Sequence, residues 1–350
     1  MSKFLSEKYA SLSPYVPGEQ PKDMQYIKLN TNESPFEPSQ AVLEAVAKEV
    51  VRLQLYSDPD LTELINTLAE VYGVDSKNVI ATNGSDEVLN FAFMAYTDKS
   101  TPAAFPNITY GFYSVFAKLH NSPYTEIPLK EDFTIDYRDY LNINKTIFIA
   151  NPNAPTGLTI SLDEIREILK SNPENIVVID EAYIDFGGES AVPLIKEFDN
   201  LLVTGTFSKS RSLAGARLGF GFASEKIIED LNTIRFSTNP YNVNRMTLAA
   251  GVASLKDDGY NKANCRKIIA TRQRVKSELE ALGFYVLDSK ANFLFAQKEG
   301  VKGKDLYLSL KEKGILVRHF DKEIIGDFLR ITIGTDTEMD IFLQKLKELL

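Results

Sequence analysis

An α/β fold is predicted: a large unit with a mainly parallel sheet covered by helices, and a smaller α+β unit after it. Three observations carry that expectation. Short apolar runs alternate with amphipathic stretches from Asn78 to Phe222. Runs such as Ile176-Val-Val-Ile are apolar throughout, as strands buried on both faces are. After Asn239 the texture turns to helical patterns mixed with short strand-like runs, which describes helices set against a small mixed or antiparallel sheet.

The elements follow in order. Residues 1–38 are rich in Pro and polar groups (Pro14, Pro17, Pro21, Pro35, Pro38). They read as an arm with little regular structure, packed near the small unit or against a partner subunit. Residues 39–240 make the large unit. A helix follows Ser39, with Val42, Leu43, Val46 and Val50 expected on one face. Residues 79–82 form a short run that ends in Asn83-Gly-Ser-Asp-Glu, and a helix continues through 88–95. Residues 146–150 read as a buried strand. Ser161 and Glu164 form a capping box that opens a helix through Ile165, Ile168 and Leu169. Residues 175–180 and 201–206 are the next strands. Residues 241–350, with part of the arm, make the small unit. There the pattern predicts one long helix over 244–282, strands at 285–287 and 292–295, and a helix near 305–313. Strands at 315–318 and 328–333 and a final helix complete it.

Composition narrows the function. The chain has 350 residues, roughly one large or two ordinary domains. Lys and Arg number 39 against 48 Asp and Glu, so 39 − 48 gives −9, which argues against nucleic acid as a partner. With Cys265 the single cysteine and only His120 and His319, neither an internal disulfide nor a Cys- or His-rich metal centre is expected. No apolar run approaches the ~18 residues of a spanning helix, and the charged start is unlike a secretory leader. A cytoplasmic protein without membrane contact is expected.

Ligands of parallel sheets collect at the carboxyl ends of the strands. Four such ends carry unusual residues: 83–87, 151–157, 180–183 and 208–209. Lys209 follows a buried strand, where a lysine can act as an amine nucleophile or be a solvated loop residue. Asp180 ends an apolar strand, where a carboxylate needs a cation or donors; capping a turn is the plainer alternative. Tyr183 offers a phenol nearby. Arg217, flanked by small residues, suits a phosphate, with Ser208 adding a hydroxyl. Ser85 and Asp86 start a helix whose N–H groups suit the same anion, although an N-cap explains them too. One ligand accounts for all four loops: pyridoxal 5′-phosphate, which needs a lysine, a carboxylate for its ring nitrogen and donors for its phosphate.

Asn151-Pro-Asn-Ala-Pro-Thr-Gly, Asp180-Glu-Ala-Tyr and Ser208-Lys209 followed by Ala214-Gly-Ala-Arg217 resemble fold-type-I aminotransferases that use this cofactor. The histidinol-phosphate aminotransferase group is the most similar. Leu29-Asn-Thr-Asn-Glu-Ser-Pro, Gly84-Ser-Asp-Glu, Ala291-Asn-Phe-Leu-Phe and Leu329-Arg-Ile-Thr-Ile-Gly-Thr extend the resemblance from about Tyr15 to the C-terminus.

The resemblance implies that Lys209 forms an imine with the cofactor and shuttles a proton between the substrate α-carbon and cofactor C4′. It implies Asp180 against the ring nitrogen, Tyr183 and Asn153 near the ring hydroxyl, and Tyr110 stacked over the ring. Ser85, Asp86, Ser208 and Arg217 are implied around the phosphate. Tyr56 would reach the phosphate of the partner subunit, giving a homodimer with shared sites. Arg330 resembles the carboxylate-binding arginine, and Arg318, Tyr15 and Asn32 resemble residues around the substrate's distal phosphate. No metal is implied. Two positions depart from the pattern. Ala154 stands where the group usually has a second Asn on the ring hydroxyl, and Leu55-Tyr-Ser-Asp-Pro replaces its usual Arg-Tyr-Pro-Asp. The implied reaction is amino transfer between histidinol phosphate and 2-oxoglutarate in histidine biosynthesis. An aromatic amino-acid aminotransferase and a threonine-phosphate decarboxylase are the alternatives.

Overall fold

The computed structural model describes residues 2–9, 12 and 14–350. A short strand β1 (Ile27–Lys28) precedes helices α1 (Gln40–Val50) and α2 (Thr62–Tyr72). The chain then runs β2 (Val79–Thr82), α3 (Ser85–Tyr96), β3 (Ala103–Pro106), α4 (Phe112–Leu119), β4 (Tyr124–Ile127), β5 (Thr146–Ala150) and α5 (Leu162–Ser171). It continues through β6 (Val177–Asp180), β7 (Leu201–Thr206), β8 (Gly219–Ala223), α6 (Glu225–Thr238), α7 (Arg245–Lys256) and α8 (Asp258–Ala281). The last elements are β9 (Phe284–Val286), β10 (Phe293–Lys298), α9 (Gly303–Glu312), β11 (Ile315–Leu316), β12 (Arg318–His319), β13 (Leu329–Thr332) and α10 (Asp336–Lys347).

The large sheet has the order β2-β8-β7-β6-β5-β3-β4. Its pairs from β4 to β7 are parallel, and β8 runs antiparallel between β7 and β2. Alternation along each strand feeds two cores. Ile147, Ile149, Val177, Ile179, Leu201 and Val203 join Leu64, Leu68, Ile165, Ile168 and Leu255 on one face. Phe148, Val178 and Leu202 join Val88, Phe93, Phe116 and Leu231 on the other. Both faces are covered, so these strands carry no polar alternation. The α5 capping box forms as expected: Glu164 N–H donates to Ser161 Oγ (3.3 Å), and Ser161 N–H donates to Glu164 Oε2 (2.7 Å).

The second sheet is antiparallel, ordered β12-β13-β10-β9, with its own core of Ile268, Val275, Leu294, Leu310, Ile331 and Phe342. The arm joins it. β1 pairs in parallel with β11, and Leu29 is buried in that core.

Two expectations change. The helical pattern over 244–282 breaks at Asp257 into α7 and α8. Ala250, Val252 and Leu255 of α7 sit in the core of the large sheet, whereas Cys265, Ile268 and Val275 of α8 sit in that of the small one. The change of packing partner therefore falls at Asp257 rather than at 240, because each half of the pattern buries its apolar stripe in a different core. On α1, Val42 is buried, but Leu43 and Val50 are 48% and 47% exposed. The apolar stripe is wider than the core that this chain offers it.

Ser161→Ala removes the acceptor of the Glu164 N–H. It is expected to cost about 1 kcal/mol, read as a lower urea midpoint.

Candidate active site

Strands β2, β5, β6 and β7 end at one edge of the large sheet, and β8, running the other way, begins there. Their loops line one cavity of about 420 Å³ that includes Ser85, Asp86, Asp180, Tyr183, Ser208, Lys209 and Arg217. Tyr110 lines it too, from the loop before α4. A second cavity of about 180 Å³ shares Tyr110, Ala154, Tyr183 and Lys209 with the first and adds Tyr15, Asn32, Arg318 and Arg330. The two adjoin at these shared residues, the lysine among them.

Asp180 is 5% exposed. Tyr113 Oη donates to its Oδ2 (3.0 Å), and Thr204 Oγ1 donates to its Oδ1 (3.1 Å). Burial pushes this carboxyl up to about 6 against the pull of those donors. Among the described residues no cation contacts it, so a protonated ring nitrogen from the cavity would supply what burial withholds. The adjacent Glu181 does not line the cavity. Its carboxylate accepts from Ser190 Oγ (2.6 Å) and Ala191 N–H (2.5 Å), and burial pushes it up to about 8.

An anion site lies at the other end. Arg217 has φ 53, an uncommon conformation for a side chain of its size. Its guanidinium donates to Ser208 Oγ (3.4 Å) and Asp86 Oδ2 (3.3 Å). Gly84 has φ 82, and a Cβ there would lie 2.6 Å from Arg217 Nη2. A Cβ on Gly219 would lie 2.1 Å from Ser85 N. Only glycine lets the start of β8 and the arginine approach the first turn of α3. Gly84 gives that helix no side-chain cap, which leaves its first N–H groups for a ligand. Lys209, the buried carboxylate and this phosphate-sized cradle together match the three needs of pyridoxal 5′-phosphate.

Lys209 Nζ donates to Thr31 O (3.3 Å) and lies 5.7 Å from the Tyr183 ring centroid. Tyr110 Oη donates to Asp86 Oδ1 (2.7 Å). Arg318 and Arg330 are direct partners across β12 and β13. Like charges placed so repel, and an anion between them removes the penalty. Arg330 donates to Asn30 O (2.9 Å), while its buried Nε has no partner. Arg318 makes two long contacts, both 3.4 Å, to the carbonyls of Val16 and Pro17.

Two expected residues, Asn153 and Asn32, make bonds within the protein, and a third, Tyr56, lies away from the cavities of its own chain. Asn153 is turned into its own loop: Nδ2 donates to Ile108 O (2.9 Å) and Oδ1 accepts from Thr109 Oγ1 (2.7 Å). Ala154, next to it, lines the cavity instead. Tyr56 lies outside both cavities, 78% exposed, stacked on Tyr241 at 4.5 Å. Asn32 lines the second cavity, but its amide is committed to Tyr183 and Thr332. No local sequence signal marks Tyr113 and Thr204. Thr204 stands opposite Asp180 in the parallel register, and Tyr113 lies one helical turn beyond Tyr110. Only the register and the helix position reveal them. Gln20, Thr31 and Glu33 of the arm also line the cavity.

Asp180 is held near 6 in the folded chain and near its ordinary 3.8 when unfolded. Its contribution to stability is therefore present below about pH 4 and lost as pH rises through 6. Above pH 6 the cofactor-free Asp180→Asn variant should exceed the parent in stability by up to about 3 kcal/mol, with the gain absent at pH 4. Thermal melts across pH check this. Gly84→Ala should weaken pyridoxal 5′-phosphate binding by about tenfold or more, measured by titrating the cofactor into apo-protein.

Residues 24–346 match the family model described as aminotransferase class I and II. A histidinol-phosphate aminotransferase of Brachyspira hyodysenteriae is 52% identical over 99% of both chains. One of Clostridium acetobutylicum is 49% identical over 99% of both. The crystal structure of histidinol-phosphate aminotransferase from Sinorhizobium meliloti in complex with pyridoxal-5′-phosphate superposes with a TM-score of 0.91. It covers 100% of this chain and 99% of that one at 24% identity, a likeness of fold. The chain belongs to the pyridoxal-phosphate-dependent class I and II aminotransferases, within their histidinol-phosphate aminotransferase group.

Proposed function

We propose that the enzyme moves an amino group between histidinol phosphate and 2-oxoglutarate, in the cytoplasm, as a step of histidine biosynthesis. The observation that carries the substrate choice is the cross-strand pair Arg318 and Arg330, whose cavity opens onto Lys209. Planar guanidinium forks accept a carboxylate or a phosphate equally well. One site can thus hold glutamate and a phosphorylated amine in turn.

When bound, the cofactor supplies an aldehyde that combines with primary amines and a cationic ring that withdraws electrons from the substrate α-carbon. Lys209 Nζ would hold it covalently and would accept the proton from the substrate α-carbon. Asp180 keeps the ring nitrogen protonated. Tyr183 donates to the ring hydroxyl, a role left to it where Ala154 carries no amide. The backbone N–H groups of Ser85 and Asp86, with Ser208 and Arg217, would hold the phosphate, and Tyr110 would cover the ring. Tyr15 and Arg318 close over the distal phosphate, while Arg330 takes the carboxylate of glutamate. No helix among the described residues is long and apolar enough to cross a membrane.

A second copy completes the site in this reading. Leu43, Val50, Val51, Leu53 and Leu55, in the segment that leads to Tyr56, are all exposed, and apolar side chains left outside in this number favour an interaction face. Tyr56 then reaches the partner's phosphate cradle.

With histidinol phosphate and 2-oxoglutarate, glutamate should form far faster than with phenylalanine as donor, and phosphothreonine should release no CO₂. Arg318→Gln should raise the KM for histidinol phosphate about tenfold or more and leave that for glutamate less affected. Turnover of phenylalanine without histidinol phosphate would overturn the substrate choice.

A further inference from the structure

Asn32 is 1% exposed and has φ 57, a left-handed conformation that asparagine tolerates better than most residues. Three buried hydrogen bonds to two side chains fix it. Its N–H donates to Thr332 Oγ1 (3.0 Å), its carbonyl accepts from Asn292 Nδ2 (3.0 Å), and its Oδ1 accepts from Thr332 Oγ1 (2.9 Å). Its Nδ2 donates to Tyr183 Oη (2.9 Å).

The direction of each bond follows from the first. The backbone N–H of Asn32 can only donate, so Thr332 Oγ1 accepts it and has its own proton to give. That proton goes to Oδ1, which orients the amide and leaves Nδ2 facing Tyr183. The phenol proton lies in the ring plane on one side of its oxygen or the other. A donor on one side leaves the other. The ring itself is clamped edge-on by Phe293 (5.1 Å, 88°) and packs against Ala154 and Ala291. No other described residue hydrogen-bonds the Tyr183 hydroxyl, which borders both cavities.

We propose that Asn32 is a positioning residue, oriented by Thr332, that turns the Tyr183 hydroxyl proton into the cofactor cavity. The inference rests on the reading above in which Tyr183 donates to the cofactor's ring hydroxyl. It gives Asn32 a place in the cofactor's electronics rather than in substrate binding. It also joins the arm and the small sheet to the cofactor through one buried chain of hydrogen bonds. The other charged or titratable groups near Tyr183 are Lys209, Arg330 and Tyr15, and the test keeps all three.

The readout is the pH midpoint of the visible absorbance of the substrate-free holoenzyme. A donor on the ring oxygen favours its anionic form, so losing that donor raises the midpoint. Tyr183→Phe should raise it by about one pH unit. Asn32→Gly keeps the backbone conformation and should raise it by part of that shift, as should Thr332→Val. Thr332→Ser should match the parent. The double variant Asn32→Gly/Tyr183→Phe should shift no further than Tyr183→Phe alone, because a residue acting through Tyr183 has nothing left to position. A parent-like midpoint in Asn32→Gly, or additive shifts in the double variant, would overturn the inference and leave the role of Tyr183 standing. An unshifted midpoint in Tyr183→Phe would remove that role and the inference with it.

Discussion

The site depends on keeping one carboxylate charged inside the sheet. Asp180 ends β6 between β5 and β7, where burial leaves it little solvation. Two hydroxyls, from Tyr113 and Thr204, supply hydrogen bonds but no charge. An isolated ion so placed is costly, and its raised carboxyl marks a need left open for a cation. A cofactor that brings a basic ring nitrogen meets that need, and the same contact makes the ring an electron sink.

The rest of the cavity is arranged around that axis. One end is a cradle of positive charge and N–H groups, built by the approach of α3 to the start of β8. The other is the arginine pair on the small sheet. Two like-charged side chains directly opposite one another are retained only where something offsets their repulsion. Between the ends stands Lys209, its amine near the carbonyl of Thr31 in the arm. The arm contributes to the cavity wall, pairs with β11 and carries Asn32. Large unit, arm and small sheet therefore meet at the cavity.

Helix α1 and the segment after it leave apolar side chains outside, among them Leu43, Val50 and Leu55. Their solvent exposure is costly in the free chain and favours association. Tyr56 lies in that face, away from the cavity of its own chain. The proposed dimer would bury these side chains and bring Tyr56 to the partner's cavity.

Local rules settled much of this protein from its sequence. Strands such as 146–150, the capping box at Ser161 and the four loops with Lys209, Asp180, Ser85 and Arg217 each depend on residues within a few positions. What lies across the sheet was invisible there. Thr204 meets Asp180 through strand register, and Tyr113 reaches it from a helix on the sheet's face. The motif around Asn32 shows an amide but not the Thr332 hydroxyl, 300 positions away, that binds it. The helical period over 244–282 was continuous on paper, yet two cores divided it at Asp257. Pattern specifies which residues seek burial or a partner; only the folded chain decides which partner each one finds, because that choice is made between segments far apart in sequence.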